Sequence, residues 1–211
     1  MPPYLESPIL SAHLWTTHGF GTRLPVPNPD TVSSVKQIHS NLVLLADRPG
    51  VLGEADALIT NLPRLAISIR TADCYPILLA DSRNRVVAAI HAGWRGTAAQ
   101  IVRQTLERMQ IEFGSQPEDV FAAIGPGIGA CCYEVGDEVA RQFGHTGQTH
   151  LDLCSENRKQ LEAAGVSPQN IEASGVCTFC DAERFFSYRR EKEKAGRMTS
   201  YIRIGPEIKP R

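Results

Sequence analysis

Two histidines and one cysteine are the residues of this sequence most able to do chemistry, because each stands where a strand-like run or a loop ends. They are His39 in VKQIHSN, Cys74 in TADCYP and His91 in IHAGWRG. Two imidazoles and a thiolate form a borderline-soft ligand set that suits zinc, and three protein ligands leave the fourth tetrahedral position open. The residue types therefore predict a catalytic zinc site, although their spacing matches no short zinc motif.

Cys74 also has an interpretation that needs no metal. Asp73 precedes it and Pro76 follows two residues later, so the thiol lies at a turn rather than inside an apolar run. A Cys74 nucleophile with His91 as its base would make a thiol hydrolase, which alkylation would inactivate without any metal being present. A third alternative, a zinc-stabilised binding module without catalysis, needs a fourth protein ligand, and the sequence offers no obvious one nearby.

Four other cysteines lie in two close pairs. Cys177 and Cys180 form a C-x-x-C pair, and Cys131 and Cys132 are adjacent. A C-x-x-C pair can bind metal or exchange disulfides, but a zinc ribbon needs a second pair, and none is spaced for it. We therefore interpret Cys177 and Cys180 as structural and the adjacent pair as packing residues.

Three arginines are candidate ligands for a phosphate or a carboxylate. Arg95 lies in a glycine-flanked loop at a predicted helix N-terminus, where free N–H groups and the helix dipole favour an anion. Arg23 follows a glycine-containing loop, and Arg189 follows FFSY. The run GPGIG at 125–129 is not G-x-G-x-x-G, and no Walker lysine follows it, so no NAD or ATP site is predicted.

A predicted hairpin brings two of these residues together. Two apolar runs, 76–81 and 86–91, flank the polar turn SRNR, which is typical of an antiparallel hairpin. A turn centred near 82–84 places Cys74 opposite, or nearly opposite, His91 at one edge of the sheet. Facing Cβ atoms in such a pair lie about 5 Å apart.

The remaining pattern predicts an α+β fold. Further strands are expected at 41–46, 57–60, 65–70, 120–124, 171–176 and 199–204, and shorter helices at 136–143 and 157–164. Thr97 and Gln100 match a capping box that would open a longer helix, which Gly114 would end. We predict one domain, 1–211, with mixed, largely antiparallel sheets, an N-terminal extension at 1–17 and a core at about 18–204.

Composition excludes several classes of function. Lys+Arg 22 against Asp+Glu 23 gives a formal charge of -1, so the basic field typical of nucleic-acid binding is missing. The longest apolar runs are far below the roughly 20 residues that cross a bilayer. Because no secretory signal is visible, we expect a cytoplasmic protein whose six cysteines are thiols or metal ligands. No nucleic acid, membrane or obligate protein partner is predicted.

Seven ordered segments between about residues 18 and 204 match the motifs of one known family: HGFGTR (18–23), QIH (37–39), EADALIT (54–60), TADCYP (71–76), HAGWRGT (91–97), IGPGI (124–128) and FFSYRR (185–190). With these motifs the chain resembles the YfiH family, also called the multicopper polyphenol oxidase or laccase-domain family. The resemblance implies a single-domain α/β sandwich with mixed sheets. It also implies a zinc ion held by His39, Cys74 and His91.

The activity implied by the resemblance is that of a purine nucleoside phosphorylase acting on adenosine, inosine, guanosine and methylthioadenosine, with adenosine deaminase activity. Nucleoside and phosphate would be its partners. Arg23, Arg95 or Arg189 would bind phosphate, and a carboxylic acid, Asp73 or Asp56, would protonate the departing base. For hydrolysis, the same zinc would lower the pKa of water to about 7. Bacterial relatives are also described as peptidoglycan editing factors that hydrolyse a wrongly built muramyl precursor, and this alternative stays open.

The laccase label does not extend to a laccase mechanism. A multicopper oxidase couples a His2Cys blue-copper site to a three-copper cluster held by a further series of histidines. This chain has six histidines, at 13, 18, 39, 91, 145 and 150, and no His-x-His pair, so it lacks that set. Copper could still occupy the zinc site adventitiously, because copper outcompetes zinc at such ligands.

Overall fold

Two six-stranded sheets and a two-stranded ribbon form the framework of the protein, whose computed structural model describes residues 2–25 and 31–205. The strands are β1 Tyr4–Leu5, β2 Thr16–Gly21, β3 Val32–Lys36, β4 Val43–Leu45, β5 Gly50–Glu54, β6 Ala57–Thr60, β7 Ala66–Thr71, β8 Tyr75–Asp81, β9 Val86–Ala92, β10 Val120–Ile124, β11 Glu134–Val135, β12 Thr149–His150, β13 Ile171–Ala173 and β14 Met198–Ile204. The helices are α1 Pro8–Ser11, α2 Trp94–Ala98, α3 Ile101–Phe113, α4 Asp137–Arg141, α5 Leu153–Ala163 and α6 Tyr188–Glu191. Within residues 2–25 and 31–205, no helix has the length and apolar character that a membrane crossing requires.

Both large sheets are mixed. The first has the order β1-β2-β14-β7-β3-β5, and the second has the order β13-β10-β8-β9-β6-β4. Strand β3 is parallel to β5 and β7, β4 is parallel to β6, and β10 is parallel to β13, whereas the other neighbours are antiparallel. The predicted α+β class with mixed, largely antiparallel sheets is confirmed.

The second sheet lies between two apolar layers, so its central strands are buried on both faces. Every residue of β8 and β9 is buried, and side chains alternate between the faces along each strand. Leu78 and Ala89 pack with Ile67 of the first sheet, whereas Ile77 and Ile90 share a core with helix α3. Burying a Leu or Ile side chain stabilises the fold by roughly 1.5–3 kcal/mol, so this double burial fixes the hairpin firmly.

The hairpin agrees with its prediction and the capping box does not. Pro76 pairs with His91, and the Asp81 carboxylate holds the turn by accepting N–H bonds from Arg83 and Asn84. Helix α3 begins at Ile101 instead of Thr97, because Gln100 adopts a left-handed φ of 63° that separates α3 from the short α2. The Thr97 hydroxyl lies within α2 and donates to Asn157, so it caps nothing. Gly114 ends α3 in the left-handed conformation, as predicted.

The glycine-containing loop expected before Arg23 is instead strand β2. A Cβ on Gly19 would lie 2.7 Å from the Tyr4 ring, and a Cβ on Gly21 would lie 2.3 Å from the Thr199 carbonyl oxygen. These glycines therefore serve close packing within a sheet. Residues 2–17, predicted as part of an N-terminal extension, contribute Leu10 and Trp15 to the core between the sheets.

The chain passes from the first sheet to the second three times at one edge, which we call the seam: at 37–42, 55–56 and 72–74. Because β3, β5 and β7 are parallel, their carboxyl ends meet at this edge, where β4, β6 and β8 begin. His39, Asp56 and Cys74 lie one on each passage. Strand β9 runs antiparallel to β8 and carries His91 to the same edge.

Candidate metal centre

The structure brings the three predicted metal ligands together at the seam. One ligand atom each from His39, Cys74 and His91 lies within 4.8 Å of the other two, and the imidazole centroids are 4.9 Å apart. His39 is exposed, Cys74 is half-buried and His91 is buried, so the group is open to solvent on the His39 side. Two nitrogens and one sulfur at this separation fit a zinc ion. In the described ranges, no other Asp, Glu, His or Cys joins this group.

The register of the hairpin explains why position 93 is a glycine. Pairing of Tyr75 with Ala92 puts Cys74 beside Gly93, two residues beyond His91. A Cβ on Gly93 would lie 2.9 Å from the Cys74 Sγ and 3.4 Å from the His39 ring. Glycine is therefore required here by the close approach of the thiol, a role that sequence reasoning missed.

Asp56 lies directly behind the histidines with no exposed surface. One carboxylate oxygen accepts the His39 backbone N–H at 3.0 Å and is 2.7 Å from the His91 Nδ1. The other accepts both the N–H and the hydroxyl of Ser40. Burial alone would raise the pKa of Asp56, but hydrogen bonds from His91 and Ser40 lower it to about 2.

The Asp56 contacts favour a positioning role over the predicted role as proton donor. An ionised carboxylate holds a proton on the His91 Nδ1, which leaves Nε2 as the nitrogen available for ligation. The same carboxylate holds His39 in a left-handed conformation with φ 60°. That conformation is costly for a residue other than glycine, so it needs such support.

Asp73 is likewise held by hydrogen bonds and has a φ of 89°. One of its carboxylate oxygens accepts the Thr178 hydroxyl at 2.7 Å, and the other accepts the Ser187 hydroxyl and the Arg189 N–H. These bonds fasten the FFSYRR segment to the residue that precedes Cys74. They favour a positioning role for Asp73 too, rather than the predicted proton transfer.

Cys74 and His91 shift each other's ionisation. Burial raises the pKa of the Cys74 thiol, but the charge of His91 and hydrogen bonds from both histidines outweigh burial and lower it. Burial lowers the pKa of His91, but Cys74 and Asp56 raise it above its ordinary value. Without a metal the two groups therefore favour a thiolate–imidazolium pair, and the thiolate is also the form that binds zinc.

Two of the three predicted anion-binding arginines, and Cys74, lie within electrostatic reach of one tyrosine, Tyr133. The Arg189 guanidinium is 5.4 Å from the centre of the Tyr133 ring, and that of Arg95 is 4.3 Å from the centre of the Trp94 ring. Burial and the charge of Cys74 raise the pKa of Tyr133 to about 12, whereas Arg189 and Arg95 oppose this rise. Tyr133, which sequence reasoning missed, is thus within electrostatic reach of the thiol and both cations.

Arg23 is placed differently. Its Nε donates to the Phe185 carbonyl at 2.9 Å, its guanidinium pairs with Glu191, and it lies 4.4 Å from the centre of the Phe186 ring. These contacts fasten the end of β2 to the FFSYRR segment. They favour a structural role for Arg23 over the predicted phosphate contact.

The other four cysteines form a second group. Cys131 and Cys132 converge on Cys177 and Cys180, with each sulfur within 4.8 Å of the others. The second pair that the zinc-ribbon pattern requires is therefore present in space as the adjacent pair, to which the sequence assigns a packing role. Sequence spacing conceals this because the two turns meet through tertiary contacts, among them the pairing of Gly127 with Cys177.

Comparisons with known proteins agree with this architecture. Residues 21–205 match the family model described as multi-copper polyphenol oxidoreductase laccase. The chain is 41% identical over 198 residues to a purine nucleoside phosphorylase of Bacteroides thetaiotaomicron, covering 83% of this chain and 73% of that protein. It is 38% identical over 192 residues to adenosine deaminase RL5 of an unknown prokaryotic organism, covering 80% and 73%. The crystal structure of the Bacillus licheniformis hypothetical protein YfiH superposes with a TM-score of 0.83 at 29% identity, covering 90% and 92%.

Proposed function

Because the chain belongs to the multi-copper polyphenol oxidoreductase laccase family, we propose that it is a zinc-dependent purine nucleoside phosphorylase. The name of the Bacteroides thetaiotaomicron relative supports an enzyme of this kind. The observation that carries the proposal is the open His39–Cys74–His91 group at the seam, with Tyr133 within electrostatic reach of Cys74, Arg95 and Arg189. An enzyme of this kind takes a purine nucleoside and inorganic phosphate as its substrates.

The donor set fits zinc, with His39, Cys74 and His91 as the ligands. When bound, zinc supplies Lewis-acid polarisation and lowers the pKa of water. Asp56 keeps the His91 imidazole oriented and its Nδ1 protonated, which is the support that metal-ligating histidines usually receive. Asp73 holds the turn before Cys74 and at the same time positions the backbone of Arg189.

Phosphorolysis replaces the bond between the purine nitrogen and the sugar carbon with a bond from a phosphate oxygen. The bonding electron pair leaves with the purine, which takes up a proton. Arg95 and Arg189 would bind the phosphate, because a guanidinium offers paired N–H donors to phosphate oxygens. Tyr133 stays protonated at neutral pH and its ring lies beside Arg189, so its hydroxyl can donate to the substrate.

Deamination of adenosine is a second candidate activity, favoured by the name of the adenosine deaminase RL5 relative. Here water replaces the amino group of the purine and ammonia leaves, so no phosphate is needed. We place either activity in the cytoplasm, because a reducing compartment keeps the Cys74 thiol free to ligate.

An assay with metal analysis on the same sample tests the proposal. Inosine with phosphate should yield hypoxanthine and ribose 1-phosphate, and Cys74→Ala or His91→Ala should lose both turnover and the metal of this site. Cys154→Ala, a half-buried cysteine outside both clusters, is the matched control and should keep both. Full turnover by a metal-free protein would contradict zinc dependence, and turnover of a muramyl precursor without any turnover of inosine would contradict the substrate class.

A further inference from the structure

Four cysteines outside the candidate metal centre form a compact cluster of their own. Cys131 and Cys132 lie in the turn after Gly129, and Cys177 and Cys180 lie in the turn before α6. All four sulfurs lie within 4.8 Å of one another. The Cys180 Sγ is 3.7 Å from that of Cys131 and 3.3 Å from that of Cys132.

These separations match a shared metal ion better than disulfides. A disulfide requires sulfurs about 2.05 Å apart. In a tetrahedral zinc tetrathiolate with Zn–S bonds of about 2.3 Å, sulfurs lie about 3.8 Å apart. We propose that Cys131, Cys132, Cys177 and Cys180 form a structural zinc site. Its four protein ligands close the coordination sphere, in contrast to the three-ligand group at the seam.

The backbone around the cluster is arranged for a thiolate. The Gly129 N–H donates to the Cys177 Sγ at 3.2 Å, and Gly127 pairs with Cys177 in a parallel bridge. A Cβ on Gly129 would lie 3.3 Å from the Cys177 Cβ, so glycine allows the two turns to approach. Cys131 and Cys180 are exposed, and a metal would protect such thiols from oxidation.

The C-x-x-C turn is also held by hydrogen bonds to its backbone. The Arg190 guanidinium donates to the carbonyls of Thr178 and Phe179, the two residues between the cysteines. The Thr178 hydroxyl donates to Asp73. A turn held in this way presents its sulfurs with little loss of conformational freedom, which favours ion binding.

The cluster adjoins the candidate metal centre through these same residues. Asp73 immediately precedes Cys74, and Tyr133 immediately follows Cys132. An ion bound by the four cysteines would therefore hold both Tyr133 and the Thr178–Asp73 contact in place. The cluster supports the centre without contributing a ligand to it.

Zinc content after anaerobic purification tests the proposal. We expect about two zinc ions per chain in the wild type and about one in Cys177→Ser, whereas Cys154→Ser should keep two. Cys74→Ala should also hold about one, which separates the two sites. The proposal is overturned if Cys177→Ser and Cys131→Ser both retain the wild-type zinc content.

A measurement on the unaltered protein covers the case in which a variant fails to fold. In zinc-loaded protein, alkylation followed by mass mapping should leave Cys131 and Cys180 unmodified despite their exposure, and a chelator should make both react. Cobalt substitution should add thiolate-to-metal charge-transfer absorption, which Cys180→Ser should reduce and Cys154→Ser should leave unchanged. Rapid alkylation of both residues in zinc-loaded protein, or mapped disulfides among the four, would refute the site. This test is independent of the enzyme assay, so it stands if the phosphorylase activity is absent.

Discussion

At the scale of single residues, two buried aspartates that hydrogen-bond to opposite ends of the β8–β9 hairpin have different roles. Asp56 lies at the seam and accepts from His39, Ser40 and His91, whereas Asp81 lies at the far end and accepts from the turn. Both side chains are fully buried. Substituting each aspartate therefore distinguishes two effects. Loss of metal-ligand orientation is expected only at Asp56, whereas loss of stability from altering a buried carboxylate is expected at both.

We predict that Asp56→Asn weakens zinc binding at the seam by about 10- to 100-fold, because the amide no longer holds the His91 Nδ1 proton as a carboxylate does. Competition with a chromophoric chelator measures this affinity. Asp81→Asn should lower the melting temperature but leave the affinity unchanged. An equal loss of affinity in both variants would show that Asp56 acts only through stability.

The two arginines near Tyr133 predict a selective effect on phosphate. Arg189→Ala or Arg95→Ala should raise the phosphate KM roughly 10- to 100-fold, because each loses a charge-assisted hydrogen bond worth about 1.5–3 kcal/mol. The nucleoside KM should change little. Arg197→Ala removes another arginine that lies against a tyrosine ring, at 6.0 Å from Tyr188, and serves as the control. An unchanged phosphate KM in both variants would contradict the assignment.

Residue types alone identified the thiol and imidazoles of the centre, because few side chains bind soft or borderline metals. They did not identify Gly93 or Tyr133. The need for glycine at 93 arises from a thiol 19 positions earlier in the chain, and Tyr133 gains its role only from the cations that packing brings to it. Such roles depend on contacts between distant segments, which spacing does not encode.

At the scale of elements, two glycines with the same backbone geometry offer a controlled comparison. Gly93 is the N-cap of α2 with φ -83° and ψ 173°, and Gly136 is the N-cap of α4 with φ -77° and ψ 172°. Alanine can adopt either conformation without strain. Only the surroundings differ, because a Cβ on Gly136 meets nothing within 4 Å.

Gly93→Ala should therefore weaken zinc binding at the seam by at least about tenfold, because its methyl group would displace the Cys74 sulfur and metal–ligand distances tolerate only about 0.2 Å. Gly136→Ala should leave zinc affinity and turnover unchanged. Isothermal titration of metal-free protein with zinc measures both. Wild-type affinity in Gly93→Ala would show that the thiol has room to move.

Elements governed by local pattern were predictable, and elements governed by tertiary contacts were not. The β8–β9 hairpin follows from two apolar runs around a polar turn. Strand β2 was not predicted because its glycines are required by close packing against Tyr4 and Thr199, which lie in other strands. The capping-box pattern at Thr97 failed because its hydroxyl found a tertiary partner in Asn157.

At the scale of the whole molecule, His18 couples folding to pH. It lies in β2, is 5% exposed, and its Nε2 accepts the Ser7 N–H, which requires an unprotonated nitrogen. Burial lowers the pKa of His18 below its ordinary 6.5, against the opposing charges of Glu6 and Glu172. Below about pH 6.5 the unfolded chain therefore binds a proton that the folded chain does not.

We predict that the free energy of unfolding falls as the pH drops from about 7 to 5, with His18 contributing at most about 1.4 kcal/mol per pH unit. Denaturant unfolding at several pH values measures this slope. His18→Gln should flatten it, because glutamine keeps an acceptor but does not titrate. His145→Gln, at an exposed position, should not. Equal slopes in the wild type and His18→Gln would contradict the role of His18.

The seam has a mechanical consequence. An ion held by His39, Cys74 and His91 would connect two of the passages between the sheets, 37–42 and 72–74, to the end of strand β9. Ion occupancy and the relative alignment of the layers would then be thermodynamically linked, so that each favours the other. Amide hydrogen exchange should slow in concert across 37–42, 55–56 and 72–74 when zinc is added, although these stretches are far apart along the polypeptide.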